Sequence, residues 1–210
     1  MAKTTITLPS LGLTDADGDR ILMWDDSAGA IAQLAASTNL TISGTNITGD
    51  TQGVSEIDGW WLTSDQDCTA DTTMTFVTAN WARATYRGNN YLGTGLTESS
   101  GVFSFPSTGF WIIKFHCLAE NDNTDTTDFG MFLHSTEDNS SYNLASCASA
   151  ADSGDHATLH SHAGSFIFDV TNTTNDKFKF AYYSDGANNN FKGNSSENKT
   201  GFVCYKLAET

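Results

Sequence analysis

The side chains with most capacity for chemistry lie in three short stretches. LHSHAG places His160 and His162 two residues apart, and on a strand such a pair points both imidazoles the same way, as a transition-metal ion requires. ENDNTDTTD, residues 120–128, gathers Glu120, Asp122, Asp125 and Asp128 in what reads as a loop, with oxygen ligands of the kind calcium takes. Against each stands the plainer reading of a solvated polar surface. DADGDRILMWDDSAG, residues 15–29, has alternating carboxylates, but its glycine is fourth rather than sixth and Asp26 stands where a calcium loop needs a bidentate Glu. Ile21, Leu22, Met23 and Trp24 fall inside that stretch and want a partner surface rather than a cation. A polar turn leading into a short strand is predicted there.

Catalytic patterns are missing. The chain has no G-x-S-x-G elbow, no Walker loop, no H-E-x-x-H and no carboxylate pair in a recognisable glycosidase context. No enzyme is expected. The balance of 25 acidic against 10 basic residues leaves a net charge of −15, which repels phosphate backbones and anionic headgroups, so neither nucleic-acid binding nor membrane insertion is predicted. MAKTTITLPS lacks the basic start and apolar core of an export signal, and no Sec address is expected. Cys68, Cys117, Cys147 and Cys204 are widely spaced, with no C-x-x-C pair for structural zinc. Buried free thiols are the expected state, with two disulfides as the alternative.

These residues must be positioned by strands. Two prolines, 18 glycines and abundant Thr, Ser and Asn separate short apolar runs of period two. Residues 1–59 carry 8 acidic and 2 basic side chains and one aromatic, whereas residues 60–210 hold the rest of the Phe, Tyr and Trp. A boundary is predicted near Gly59. Before it, TITLPSLGL, RILMW, AIAQLA and LTISGTNIT are strand-length pieces, none able to bury its apolar face alone. After it, GWWLTS, TMTFVTANW, GVFSF, GFWIIKFHC, DFGMFLHS, YNLASCASA, ATLHSHAGSFIFDV, DKFKFAYYS and TGFVCYKL read as strands of an antiparallel sandwich or jelly roll. In GFWIIKFHC, Trp111, Ile113, Phe115 and Cys117 share one face, and Ile112, Lys114 and His116 the other.

At this strand the chain resembles the complement-type globular head, a branch of the tumour necrosis factor-like jelly rolls. Leu96, Phe103 and Gly109 have the spacing of that family's apolar residue, Phe and Gly. Trp111, Ile113 and Phe115 supply the alternation that follows, and TGFVCYKL is similar to the closing strand. Upstream the pattern departs, with Thr85 and Tyr91 where Phe and then Asn or Asp stand, and Ile113 replaces an aromatic. The resemblance covers about residues 60–207 and implies a trimer. It assigns Phe103, Phe105, Trp111, Ile113, Phe115 and Phe202 to the core or trimer packing. It also implies calcium near the apex, held by a loop such as Asp122, Asp125 and Asp128, although no cofactor is required. A His160/His162 pair on a threefold axis would resemble the metal device at some phage fibre tips.

The N-terminal part resembles short segments near the starts of tailed-phage fibre and virion-surface proteins, which casts Ile21, Leu22, Met23 and Trp24 as an anchor covered only on assembly. The function expected is therefore a non-enzymatic phage virion protein. It would be a homotrimer that contacts capsid or other virion proteins, assembled in the bacterial host cytoplasm and displayed on the particle as a capsid decoration protein or short head spike. Fully extended, 59 residues reach at most about 195 Å; hence a distal tail-fibre tip is the alternative. The other is a lectin-like module binding a host surface glycan on Trp60, Trp61, Trp81, Tyr182 or Tyr183.

Overall fold

The structure, a computed structural model, describes residues 21–25, 30–34, 40–43, 46–49, 53–68, 71–121, 128–150, 158–185 and 189–209. These residues form strands and turns and no helix. The chain divides into two compact units, Met1–Gly53 and Val54–Thr210. The composition boundary at Gly59 falls inside a strand of the second unit, because Ile57–Trp61 pairs along the C-terminal strand of that unit.

The first unit contains two antiparallel hairpins. Strand β1 (Ile21–Asp25) pairs with β2 (Ala30–Leu34), setting Trp24 opposite Ile31 and Met23 opposite Ala32. LTISGTNIT is not one strand but two, β3 (Leu40–Ser43) and β4 (Asn46–Gly49), with Ile42 opposite Ile47. TITLPSLGL lies outside the described residues.

The second unit holds β5 (Ile57–Leu62), β6 (Gln66–Cys68), β7 (Asp71–Phe76), β8 (Trp81–Arg83), β9 (Thr97–Ser99), β10 (Val102–Ser104), β11 (Gly109–Asn121), β12 (Phe129–Thr136), β13 (Asn143–Ala150), β14 (Thr158–Val170), β15 (Lys177–Ser184), β16 (Asn189–Phe191) and β17 (Gly201–Ala208). One sheet runs β13-β12-β15-β10-β9, with β7 also on β15; the other runs β6-β16-β11-β17-β5-β8, with β14 on the free side of β11. All pairs are antiparallel. The sequence run TMTFVTANW breaks into β7 and β8 because Asn80, just before Trp81, takes a φ of 67°, a left-handed turn conformation Asn tolerates better than most residues.

The core lies between the two sheets and is mainly aromatic. Trp111, Ile113, Phe115 and Cys117 of β11 are buried and meet Phe178 and Phe180 of β15, Phe202 of β17 and Phe103 of β10 in one cluster. Phe103 is its hub, stacked on Phe178 at 5.2 Å and edge-on to Phe202 at 4.8 Å. Trp60 and Trp81 close the cluster with edge contacts to the same ring. Gly164 on β14 leaves room for Phe115, since a Cβ there would stand 2.4 Å from the ring tip.

The outer face of the β12-β15 sheet holds a buried polar group. His134 is 7% exposed and packs edge-on to Phe76 at 5.2 Å. It is opposite Lys179, whose ammonium sits 3.5 Å over Phe76 and 3.9 Å over Tyr142. Burial, and then the Lys179 charge, hold the His134 pKa below the usual 6.5.

Phe103→Ala is expected to cost about 3–5 kcal/mol, the range for a fully buried Phe, read as a lower urea midpoint at unchanged slope. For His134 the unfolded chain takes up a proton more readily than the folded one. Its contribution to stability is therefore full above about pH 6.5 and lost as pH falls below that value. Melting temperature should drop between pH 7 and 5, and His134→Gln should flatten part of that slope.

Candidate functional site

The outward face of the β14-β11-β17 layer is the feature that stands out. The pleat that sends Trp111 and Ile113 inward sends Phe110 and Ile112 outward. Register sets Ile112 directly between Ile167 of β14 and Tyr205 of β17. Phe110 is 40% exposed, Ile167 59% and Leu207 50%. These five form one apolar band across three hydrogen-bonded strands, larger than isolated surface hydrophobics require. Beyond the band the face turns polar through Lys114, Ser165 and His116, and Lys114 reaches back over the Tyr205 ring at 5.8 Å. At the nearby sheet margin, the edge strand β13 exposes Leu144.

The residues singled out for metal binding are distributed differently. His160 and His162 stand at alternate positions of β14 whose later members, Phe168 and Val170, are buried, so the imidazoles belong to the inward face. Their rings stack at 5.9 Å and 11°, and both lean edge-on against Phe129. Burial, with His160 beside it, lowers the His162 pKa. Asp128 is exposed and donates its backbone N–H to Asp185 Oδ1 at 2.9 Å; burial and the Asp185 charge raise its carboxyl pKa. Asp122 and Asp125 lie outside the described residues. Among the described residues no group of three or more His, Cys, Asp or Glu is arranged to hold a metal ion.

The anchor residues Ile21, Leu22, Met23 and Trp24 form β1 of the first unit. Phe103, Phe105, Trp111, Ile113, Phe115 and Phe202 are all buried in the core of the second. The proposed sugar platforms need correction in part: Trp61 is 4% and Tyr182 6% exposed, whereas Trp60 and Trp81, packed on Phe103, and Tyr183, edge-on to Phe132 at 6.5 Å, are half-buried. An aromatic in a two-layer sandwich gains more from burial than from display. The four cysteines are free thiols; burial pushes Cys68 and Cys117 up to about 12, whereas Cys147, expected to be buried, is exposed on β13.

Sequence reasoning missed a loop latch. Asp58 Oδ2 on β5, almost fully buried, accepts hydrogen bonds from Leu96 N at 2.8 Å and Trp60 Nε1 at 3.0 Å and pairs with Arg83 at 3.1 Å. Two residues earlier, Glu56 accepts from Thr94 N at 2.9 Å and Gly95 N at 3.0 Å. Arg83 also donates to Leu96 O and lies between the rings of Trp60 and Tyr91. Alternate acids ahead of a tryptophan pair were the available signal, but only the folded loop supplies their donors.

No protein-family model matches the chain, and no curated protein sequence matches it. Solved structures do match. Murine APRIL, crystallised at pH 8.5, superposes with a TM-score of 0.51 at 14% identity, covering 72% of this chain and 98% of that one. Eiger TNF from S. frugiperda gives 0.54 at 11% identity, covering 73% and 93%. At such identities the likeness is one of architecture, and it agrees with the strand order of the two sheets. The second unit has the tumour necrosis factor-like jelly-roll fold.

Proposed function

We propose that the protein is a non-enzymatic homotrimer displayed on a phage virion, fixed by its first unit and presenting its jelly roll outward. The observation that carries the assembly is the band of Phe110, Ile112, Ile167, Tyr205 and Leu207, an apolar sheet face that the described residues leave exposed or half-buried. Its occupant is a second copy, which contributes the β13 edge carrying Leu144. Face against edge is a heterologous contact, and such contacts close into rings at a fixed rotation. Covering β13 also removes an unpaired strand edge.

The virion reading rests on the first unit and on composition. A two-stranded hairpin is marginal in water, so pairs such as Trp24 with Ile31 call for a partner surface, here capsid or other virion protein. Free thiols suit assembly in a reducing host cytoplasm. The charge of −15 per chain keeps a displayed knob soluble and away from packaged DNA. Two hairpins supply no shaft among the described residues, which favours a capsid decoration protein or short head spike over a tail-fibre tip. No metal is required, and calcium at Asp122, Asp125 and Asp128 is an addition rather than a condition.

Light scattering should give about 68 kDa, three copies of 22.6 kDa, and Ile167→Glu should shift the folded protein toward monomer. A wild-type monomer at micromolar concentration would remove the proposal. Deleting residues 1–53 should leave a folded trimer by circular dichroism and light scattering that no longer co-sediments with virions. Unchanged occupancy by the truncated protein would rule out the first unit as anchor.

A further inference from the structure

A cavity of about 200 Å3 opens on the β5–β17 side of the same sheet, next to the apolar band, since its lining residue Ile57 stands opposite Tyr205. Its floor exists because Gly59 has no side chain, and Val203 lies beside it. Its walls carry Asn89, Asn90, His116 and Asn198. We propose that this cavity binds one ring of a neutral saccharide.

Three features point to that chemistry. Apart from His116 the lining contains no ionisable side chain, so a charged ligand finds no Lys, Arg, Asp or Glu to pair with, and the net charge of −15 disfavours anions. Carboxamides both donate and accept, which matches hydroxyls that do the same. The apolar floor suits the C–H face of a pyranose. Asn90 Oδ1 already accepts from Tyr91 N at 2.9 Å, which orients its amide with Nδ2 left to donate. The volume is below the roughly 300–1,000 Å3 of drug-sized sites and fits a single small ring.

The walls are also pre-set. The loop after β8 is tied to β5 on both sides of the cavity, by Ala84 N to Gly59 O at 2.7 Å and by reciprocal bonds between Ile57 and Leu92 at 3.1 and 2.8 Å. The Glu56 and Asp58 latch then fixes the segment that follows. Little ordering remains to oppose binding. Tyr86 and Tyr91, each 41% exposed, lie on the same loop; Arg87 and Arg83 lie over their rings at 5.1 and 4.5 Å, and the ring surface still exposed would serve a second sugar residue.

Gly59 is the natural test because a Cβ there meets nothing closer than 3.4 Å and its φ is ordinary for a strand. The full-length protein is titrated by NMR with D-glucose, D-galactose, D-mannose, N-acetyl-D-glucosamine and L-rhamnose, and oligomeric state is read by light scattering on the same samples. At least one sugar should saturably shift the side-chain amide signals of Asn89, Asn90 and Asn198. Gly59→Val should abolish the shifts with fold and assembly kept. Asn89→Ala should weaken binding about three- to tenfold, the loss of one hydrogen bond, and carries the test should the valine variant misfold. The proposal fails if no sugar in the panel binds, if binding survives folded Gly59→Val, or if N-acetylneuraminic acid or a tripeptide of glycine binds the same amides more tightly. A monomeric sample that still binds sugar would overturn the trimer and leave this site standing.

Discussion

The alternation of β11 is the constraint on which the rest of the second unit depends. The strand is paired with β14 along all 13 of its residues and with β17 and β16 on its other side. Hydrogen bonding on both edges leaves no freedom to slip, and a one-residue slip would exchange the two faces. Trp111, Ile113, Phe115 and Cys117 are thereby committed to the core, and Phe110 and Ile112 to the outside. The interior and the uncovered band are two consequences of one register.

The aromatic cluster and the acidic latch divide the work of holding the sandwich. Rings around Phe103 supply apolar burial, worth roughly 1.5–3 kcal/mol per large side chain, but rings alone do not fix a loop. Asp58 and Glu56 do so by accepting backbone N–H groups from residues 94–96 that would otherwise lack partners. Asp58 is a buried charge, tolerable because Arg83 and two N–H donors face one of its oxygens. Loss of Arg83 would strand that charge, so the pair is a structural element that no catalytic role is needed to explain.

The first unit follows a different physics. Its hairpins carry apolar pairs in register, Trp24 with Ile31 and Ile42 with Ile47, yet two strands cannot enclose a core. The jelly roll, by contrast, closes an aromatic core between its two sheets.

Period two in GFWIIKFHC, a strictly local property, was enough to assign the faces of β11, and the turn residues between apolar runs were enough for an all-β sandwich. The fold class and its inner residues Phe103, Trp111, Phe115 and Phe202 were legible for that reason. What lay above each face was not, because cover comes from strands distant in sequence. Only the tertiary structure put β15 and β10 over the inner face and, among the described residues, left Phe110 and Ile167 exposed on the outer one. It also turned His160 and His162 toward Phe129, buried Trp61 and Tyr182, and carried the second unit back past Gly59 to Val54 by pairing Ile57–Trp61 with β17. Composition registers what a residue is, and the boundary and the site are set by what it pairs with.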